Sequence, residues 1–255
     1  MTSTLIKYNV ILILLCIGIT LIHNSSEATV NEDVILYYNH LSPQCRSVLL
    51  TLGALDLNIT LKSIDFLKGE KLPEEFREMN SLQTLPVLKD DKFAFFESDA
   101  IIVYLVQQYG VKDNLLYPSK CPTFQSLIIQ QLIFNNINFY SAFEILHTAG
   151  ISCGKQKTIE EVNKIHKALN SFEETLGKSA WAVGKIMTVA DFALVASIST
   201  FDATGFDLTE YKKIQEWLKK CKDIMADYYG SANQQGIDEL KPLLQFVNRS
   251  QNKSK

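Results

Sequence analysis

The first pattern along the chain is a run of thirteen uncharged, mostly apolar residues, Val10 to Ile22, with Lys7 ahead of it and the polar stretch His23 to Ala28 behind it. A basic start, an apolar centre and small residues before a cut are the order of a secretory leader. Ser26-Glu27-Ala28 fits the small-x-small rule, so residues 1–28 read as the leader, with cleavage after Ala28. The run is shorter than the roughly 20 residues a spanning helix needs; an uncleaved signal anchor is the alternative.

Behind the leader, short β-prone runs alternate with helical periodicity. Val34 to Tyr38 predicts a strand, and Ser42-Pro43 predicts a helix start, with serine as N-cap and proline in the first turn. Apolar residues at Cys45, Val48, Leu49, Leu52 and Leu55 give that helix one buried face. Asn58 to Phe66 alternates as a second strand, and Lys68 to Asn80 is charged and partly helical. Leu85 to Leu88 and Phe93 to Phe96, separated by Asp90-Asp91, predict a hairpin. Ser98 to Tyr109 predicts a helix with Ser98 as N-cap and Gly110 as its C-terminal cap. The order is βαβαββα over residues 33–112. Beyond a linker near 111–122, with Pro118 and Pro122, the strand signals stop. Helical periodicity then covers Phe124 to His147, Ile159 to Leu176, Val189 to Thr200, Tyr211 to Tyr228 and Leu240 to Val247, so residues 121–248 read as all-helical. The tail from Asn248 is polar and expected to fray. A mixed α/β layer followed by an all-α bundle is the fold class this implies.

Composition narrows the function. The 255 residues carry 25 Lys+Arg against 28 Asp+Glu, a net charge of −3, which disfavours a nucleic-acid binder that relies on a basic surface. Outside the leader stand Cys45, Cys121, Cys153 and Cys221. They could form two bridges, in any of three connectivities, or stand as four reduced, mostly buried thiols; a core of this size needs no staples, which favours the thiols slightly. Sequons at Asn24, Asn58, Asn248 and Asn252 become relevant if the chain is exported.

There is no dinucleotide fingerprint and no H-E-x-x-H. Gly150 to Lys155 is one residue short of a P-loop, and the four histidines make no metal-ligand spacing, so no metal is expected. The chemistry concentrates in three short segments. Ser42 opens the first helix, where free N–H groups and positive potential can hold an anion, a thiolate included. Thr84-Leu85-Pro86 precedes the hairpin, and a proline there suits a cis bond with backbone groups offered to a peptide. Glu97-Ser98 opens the next helix and suits a carboxylate. All three fall at one end of a βαβαββα layer.

With ILYY, SPQCRSVLL, FLKGEKLPEEF, TLPVL, FFESDAIIVYLVQQYG, LYPSKCP and TVADFALVASISTF in order, the chain resembles the glutathione S-transferases of the insect delta/epsilon type from Val34 to Val247. The resemblance implies a thioredoxin-like domain followed by a helical bundle, and a homodimer. It implies an enzyme that takes glutathione as co-substrate and conjugates it to small hydrophobic electrophiles. It places Ser42 on the glutathione sulfur, Leu85 and Pro86 on the cysteinyl part, and Glu97 and Ser98 on the γ-glutamyl end. Tyr140, Phe143 and Phe206 match the family's hydrophobic-substrate pocket, with helix core as their other reading. Thr188 to Asp191 matches a structural capping box.

Some positions depart from the pattern. Leu82 and Gln83 stand where relatives carry glutamine and histidine, leaving Gln83 as a neutral donor toward the glycine end. Asp99 stands where Arg or His is frequent, a negative charge beside the place of an anionic tripeptide, and His40 is a possible compensating group. These departures suit a low-activity carrier of hydrophobic ligands on the same fold, the alternative function. A third reading, a thiol–disulfide oxidoreductase, follows from Ser42-Pro43-Gln44-Cys45, which aligns with a C-x-x-C site but has serine first. The leader places the protein in the secretory route or an endomembrane lumen, or on a membrane if uncleaved.

Overall fold

The computed structural model describes residues 31–65, 73–112, 114–141 and 158–252, with side chains described up to residue 243. Residues 1–28, expected to form a leader, lie outside the described residues, as do Phe143, His147, Cys153 and the Gly150 to Lys155 stretch.

Strand β1 (Asn31–Tyr38) leads through a short loop to helix α1 (Pro43–Ala54), then β2 (Ile59–Ser63), α2 (Glu74–Met79), β3 (Val87–Asp90), β4 (Phe93–Phe96) and α3 (Ser98–Tyr109). The sheet order is β2-β1-β3-β4, with β1 parallel to β2 and the other pairs antiparallel. Side chains alternate across a strand, and β1 shows the consequence. Val34, Leu36 and Tyr38 join the large core shared with α1 and α3. Tyr37 faces the other way, into a small cluster with Ile64, Phe76 of α2 and Val87. The sheet is therefore covered on both faces.

The helical part runs α4 (Pro122–Phe134), which continues as a π-helical turn (Asn135–Tyr140), then α5 (Ile159–Lys178), α6 (Val189–Ala203), α7 (Lys212–Ile224), the single turn α8 (Ala226–Tyr229), a second π-helical turn (Gly230–Gln234) and α9 (Gln235–Asn252). α6 is buried at every position from Val189 to Phe201, the mark of a central helix rather than an amphipathic one. It packs against α1 and ties the two halves together.

Several expectations need correction. Ser98 is not the N-cap of α3 but its first residue; Glu97 holds the cap position with φ +68°, turning the chain from β4 into α3 within one residue. Gly110 is the C-cap of α3 as expected, with φ −69°, and glycine is needed there because a Cβ would lie 2.4 Å from the Val106 carbonyl oxygen. The single helix expected over Tyr211 to Tyr228 is interrupted at Met225. The helix expected over Leu240 to Val247 is longer: α9 starts five residues before Leu240 and carries the backbone to Asn252. Polar residues with adequate helix propensity extend a helix that the apolar period alone would cut short.

Candidate active site

The sheet register brings the three candidate segments together. Tyr37 pairs with Val87, and Val87 with Phe96, in one row across the sheet. Ser42 follows the β1 end of that row, Leu85 and Pro86 precede its β3 member, and Glu97 and Ser98 follow its β4 member. Chain direction and register thus place all of them at the same end.

Ser42 is half-buried, with extended backbone (φ −78°, ψ 121°), and its Oγ accepts the Cys45 N–H at 3.3 Å. The Arg46 N–H reaches the Ser42 carbonyl oxygen at 3.1 Å. One lone pair is thereby committed to the helix, while the hydroxyl also neighbours the Cys45 thiol as a donor, an influence that lowers the thiol's pKa against burial. Asn39 sets the approach: its Oδ1 accepts the Leu41 N–H at 2.8 Å and its Nδ2 donates to the Ile64 carbonyl at 2.7 Å.

Cys45, three residues on, is fully buried, and desolvation pushes its thiol up to about 11. A thiol that resists ionisation and has no access makes a poor resolving cysteine. Among the described residues Cys45, Cys121 and Cys221 are all free thiols.

Arg46, which the sequence reading passed over, is the largest fully buried side chain. Its guanidinium donates to the carbonyls of His40 (3.3 Å) and Ala196 (3.2 Å) and to the Thr200 hydroxyl. Burial lowers its pKa to about 10, so it stays a cation at neutral pH. It clamps the loop before Ser42 onto α6 and adds positive charge behind the helix N-terminus. A charged residue inside the apolar pattern of α1 was the available signal. His40 is half-buried: it packs edge-on against Tyr38 and lies 4.0 Å from Glu239 of α9, with burial the main influence lowering its pKa.

The Leu85-Pro86 peptide is cis, as expected, and Leu85 lies outside the strand ladder, just before Val87. Asn80 braces this loop: its Nδ2 donates to the Thr84 carbonyl at 2.9 Å and its Oδ1 accepts the Leu82 N–H at 3.1 Å. Leu82 and Gln83 are exposed, and Gln83 has φ +55°. Ser98 is only 3% exposed at the N-terminal turn of α3, while Glu97 is exposed and held in the left-handed region, an outlier of the kind that marks binding sites.

Asp99 is half-buried in that same turn. Its Oδ2 accepts a hydrogen bond from Asn136 Nδ2 at 2.7 Å, linking α3 to the π-helical turn of the helical part. Desolvation, then the field of Glu97, raise its pKa to about 7, against a lowering by Asn136. Sequence reasoning missed Asn136, because a π-helical turn shifts the side-chain phase that a 3.6-residue period assumes.

The three aromatic candidates are less closely assembled. Phe206 packs on Phe201 (6.2 Å between ring centroids) and on His166 (5.1 Å), and Phe201 on Phe139 (5.8 Å). Tyr140, next to Phe139, is half-buried, and Phe143 lies outside the described residues. A cavity of about 340 Å³ lies between β1, α1 and the C-terminal helices, lined by Tyr38, His40, Leu49 and Tyr228. Another of about 390 Å³ lies beside the first π-helical turn, lined by Phe134, Ile137, Ile165 and Ala168. Neither is lined by Ser42, Leu85, Pro86, Glu97 or Ser98. Among the described residues no group of three His, Cys, Asp or Glu could hold a metal, and no helix is long and apolar enough to cross a membrane.

Comparison with known proteins is consistent with this geometry. Residues 36–113 match the family model for the glutathione S-transferase N-terminal domain, and residues 134–223 match that for the C-terminal domain. Glutathione S-transferase D7 of Anopheles gambiae is 33% identical over 82% of this chain and 95% of its own length. The structure of a delta-class glutathione transferase from Nilaparvata lugens superposes with a TM-score of 0.78 at 35% identity, covering 84% of this chain and 99% of the other. That of a glutathione transferase homologue from Drosophila mojavensis with bound glutathione gives a TM-score of 0.77 at 29% identity, covering 84% and 97%. With both domain models matched and relatives aligned along nearly their whole length, this chain belongs to the glutathione S-transferase family.

Proposed function

We propose that the protein binds glutathione at the sheet end and conjugates its thiolate to small hydrophobic electrophiles. The observation that carries this is the place of Ser42, half-buried at the α1 N-terminus with its oxygen held by the Cys45 N–H, where its hydroxyl can turn to donate to a bound thiol. A free thiol ionises near pH 8.5, so little thiolate exists at neutrality. A hydroxyl donor, the N-terminus of α1 and buried Arg46 each favour the charged form. The thiol proton passes to solvent, the sulfur lone pair forms the new carbon–sulfur bond, and the leaving group departs with its bonding pair.

In this reading the Leu85 backbone beside Pro86 pairs with the cysteinyl unit, and Gln83 faces the glycine end. The N-terminal turn of α3, with Glu97 and Ser98, takes the γ-glutamyl end. Tyr140, Phe143 and Phe206 belong to the electrophile pocket. Residues 33–112 form the glutathione domain and 121–248 the substrate domain. Ser42→Ala is expected to lower turnover in a standard conjugation assay by about 10²-fold while S-hexylglutathione still binds. Unchanged turnover removes Ser42 from the reaction.

Two further parts of the reading rest on surface and leader. Phe93 and Phe96 on edge strand β4, with Leu127, Ile129, Ile133 and Ile137 along α4 and its continuation, are exposed apolar residues suited to a two-fold homodimer. The apolar run Val10 to Ile22 supports export with cleavage after Ala28. Native mass spectrometry of protein from its source is expected to give a dimer whose chains start at Thr29. A monomer contradicts the first part, and an intact Met1 the second.

A further inference from the structure

Asp99 sits in the turn assigned above to the γ-glutamyl end, and its hydrogen bonding is incomplete. One oxygen, Oδ2, accepts from Asn136 Nδ2. The other, Oδ1, is shielded from water and has no partner, and the same is true of Asn136 Oδ1. In an ionised Asp99 both of these oxygens can only accept, so neither can serve the other. A buried acceptor without a donor costs free energy. A single proton on Asp99 supplies the donor that the pair lacks: the carboxylic acid gives O–H to the Asn136 carbonyl oxygen while the Asn136 N–H still reaches Asp99. Acid and amide then satisfy each other in a ring of two hydrogen bonds.

The surroundings favour that state. Glu97, on the turn from β4, is the charged group acting on Asp99, and it repels a second negative charge. Asn136, on the π-helical turn, is neutral. No ion pair to Asp99 is found among the described residues. Arg46 of α1 and His40 of the β1–α1 loop face other partners, α6 and Glu239 of α9 respectively.

We propose that Asp99 and Asn136 form a proton-carrying acid–amide pair that docks the N-terminal turn of α3 onto the helical domain, and that glutathione binds tightly only while Asp99 holds its proton. Asp99 is a positioning residue: it keeps the turn neutral and fixed, so that the backbone N–H groups of α3 meet the γ-glutamyl carboxylate without a like charge beside it. The raised pKa of Asp99, about 7, puts the switch at neutrality. The pair rests on the glutathione reading above, and it explains how an aspartate stands where the family frequently carries a cation.

The test is isothermal titration calorimetry of S-hexylglutathione, which has no ionisable thiol, between about pH 6 and pH 8 in buffers of different ionisation enthalpy. For a required proton on a group titrating near 7, affinity falls about tenfold across that range, and binding at the upper end takes up about one proton per site. Asp99→Asn keeps the two-bond pairing without a proton, so its affinity is expected to stay high and flat with pH. His40→Gln should retain the wild-type slope. A flat wild-type profile with no proton uptake overturns the pair while leaving the glutathione reading intact. An equal slope in Asp99→Asn overturns it too. No binding at any pH overturns both.

Discussion

Two aspartates, each in the first turn of a helix, behave differently in this molecule. Asp191 of α6 is fully enclosed and saturated with donors. Its Oδ1 takes the Ala182 N–H and the Trp217 indole N–H, each at 2.9 Å, and its Oδ2 takes the Thr188 N–H at 2.9 Å and the Thr188 hydroxyl at 3.2 Å. Asp99 of α3 has one donor and a shielded oxygen without a partner. Burial pushes both carboxyls up, but at Asp191 four hydrogen bonds pull the other way, and at Asp99 only one does. Donor supply, more than depth, separates a structural carboxylate from one poised to change charge. The first ties the loop after α5 and the start of α6 to Trp217 of α7; the second joins α3 to the π-helical turn of the helical part.

The comparison is broken most severely by Asp191→Ala. It strands three N–H donors in the core, and a loss of ~3–5 kcal/mol of stability is expected in urea unfolding. A loss below about 1 kcal/mol would show that the box is ornamental.

Asp99→Asn acts in the opposite direction and more weakly. The native carboxyl titrates above the unfolded value near 3.9, so between the two the native state holds the extra proton. Wild-type stability therefore falls as pH rises from about 4 to about 7 and then levels off. The variant has no such slope. Its margin over wild type should widen by ~2 kcal/mol between about pH 4.5 and pH 7.5, allowing for partial exposure of the residue. A margin constant with pH sinks the assignment of a raised pKa to Asp99.

How much of this was readable beforehand depends on how local each signal is. Ser42-Pro43, the cis Leu85-Pro86 bond and the Thr188–Asp191 box are short-range turn and cap chemistry, and each was found where the sequence placed it. Ser98 was mistaken for a cap because a strained, non-glycine Glu97 was not expected to turn the chain. Arg46 and Asn136 were invisible for another reason. Arg46 is meaningful through Ala196 and Thr200, 150 and 154 residues away, and Asn136 through Asp99, 37 residues away across the domain junction. A buried polar residue declares itself only once its partner is placed, and a single sequence carries the residue without the pairing.

The most direct test of the whole account is the ionisation of glutathione on the protein, followed by ultraviolet absorbance of the bound thiolate against pH. The account predicts a bound thiol that ionises well below the ordinary value of about 8.5, and a return toward that value in Ser42→Ala with the ligand still bound. A bound thiol that titrates as it does in water, or one whose lowered value survives the loss of the Ser42 hydroxyl, would contradict it.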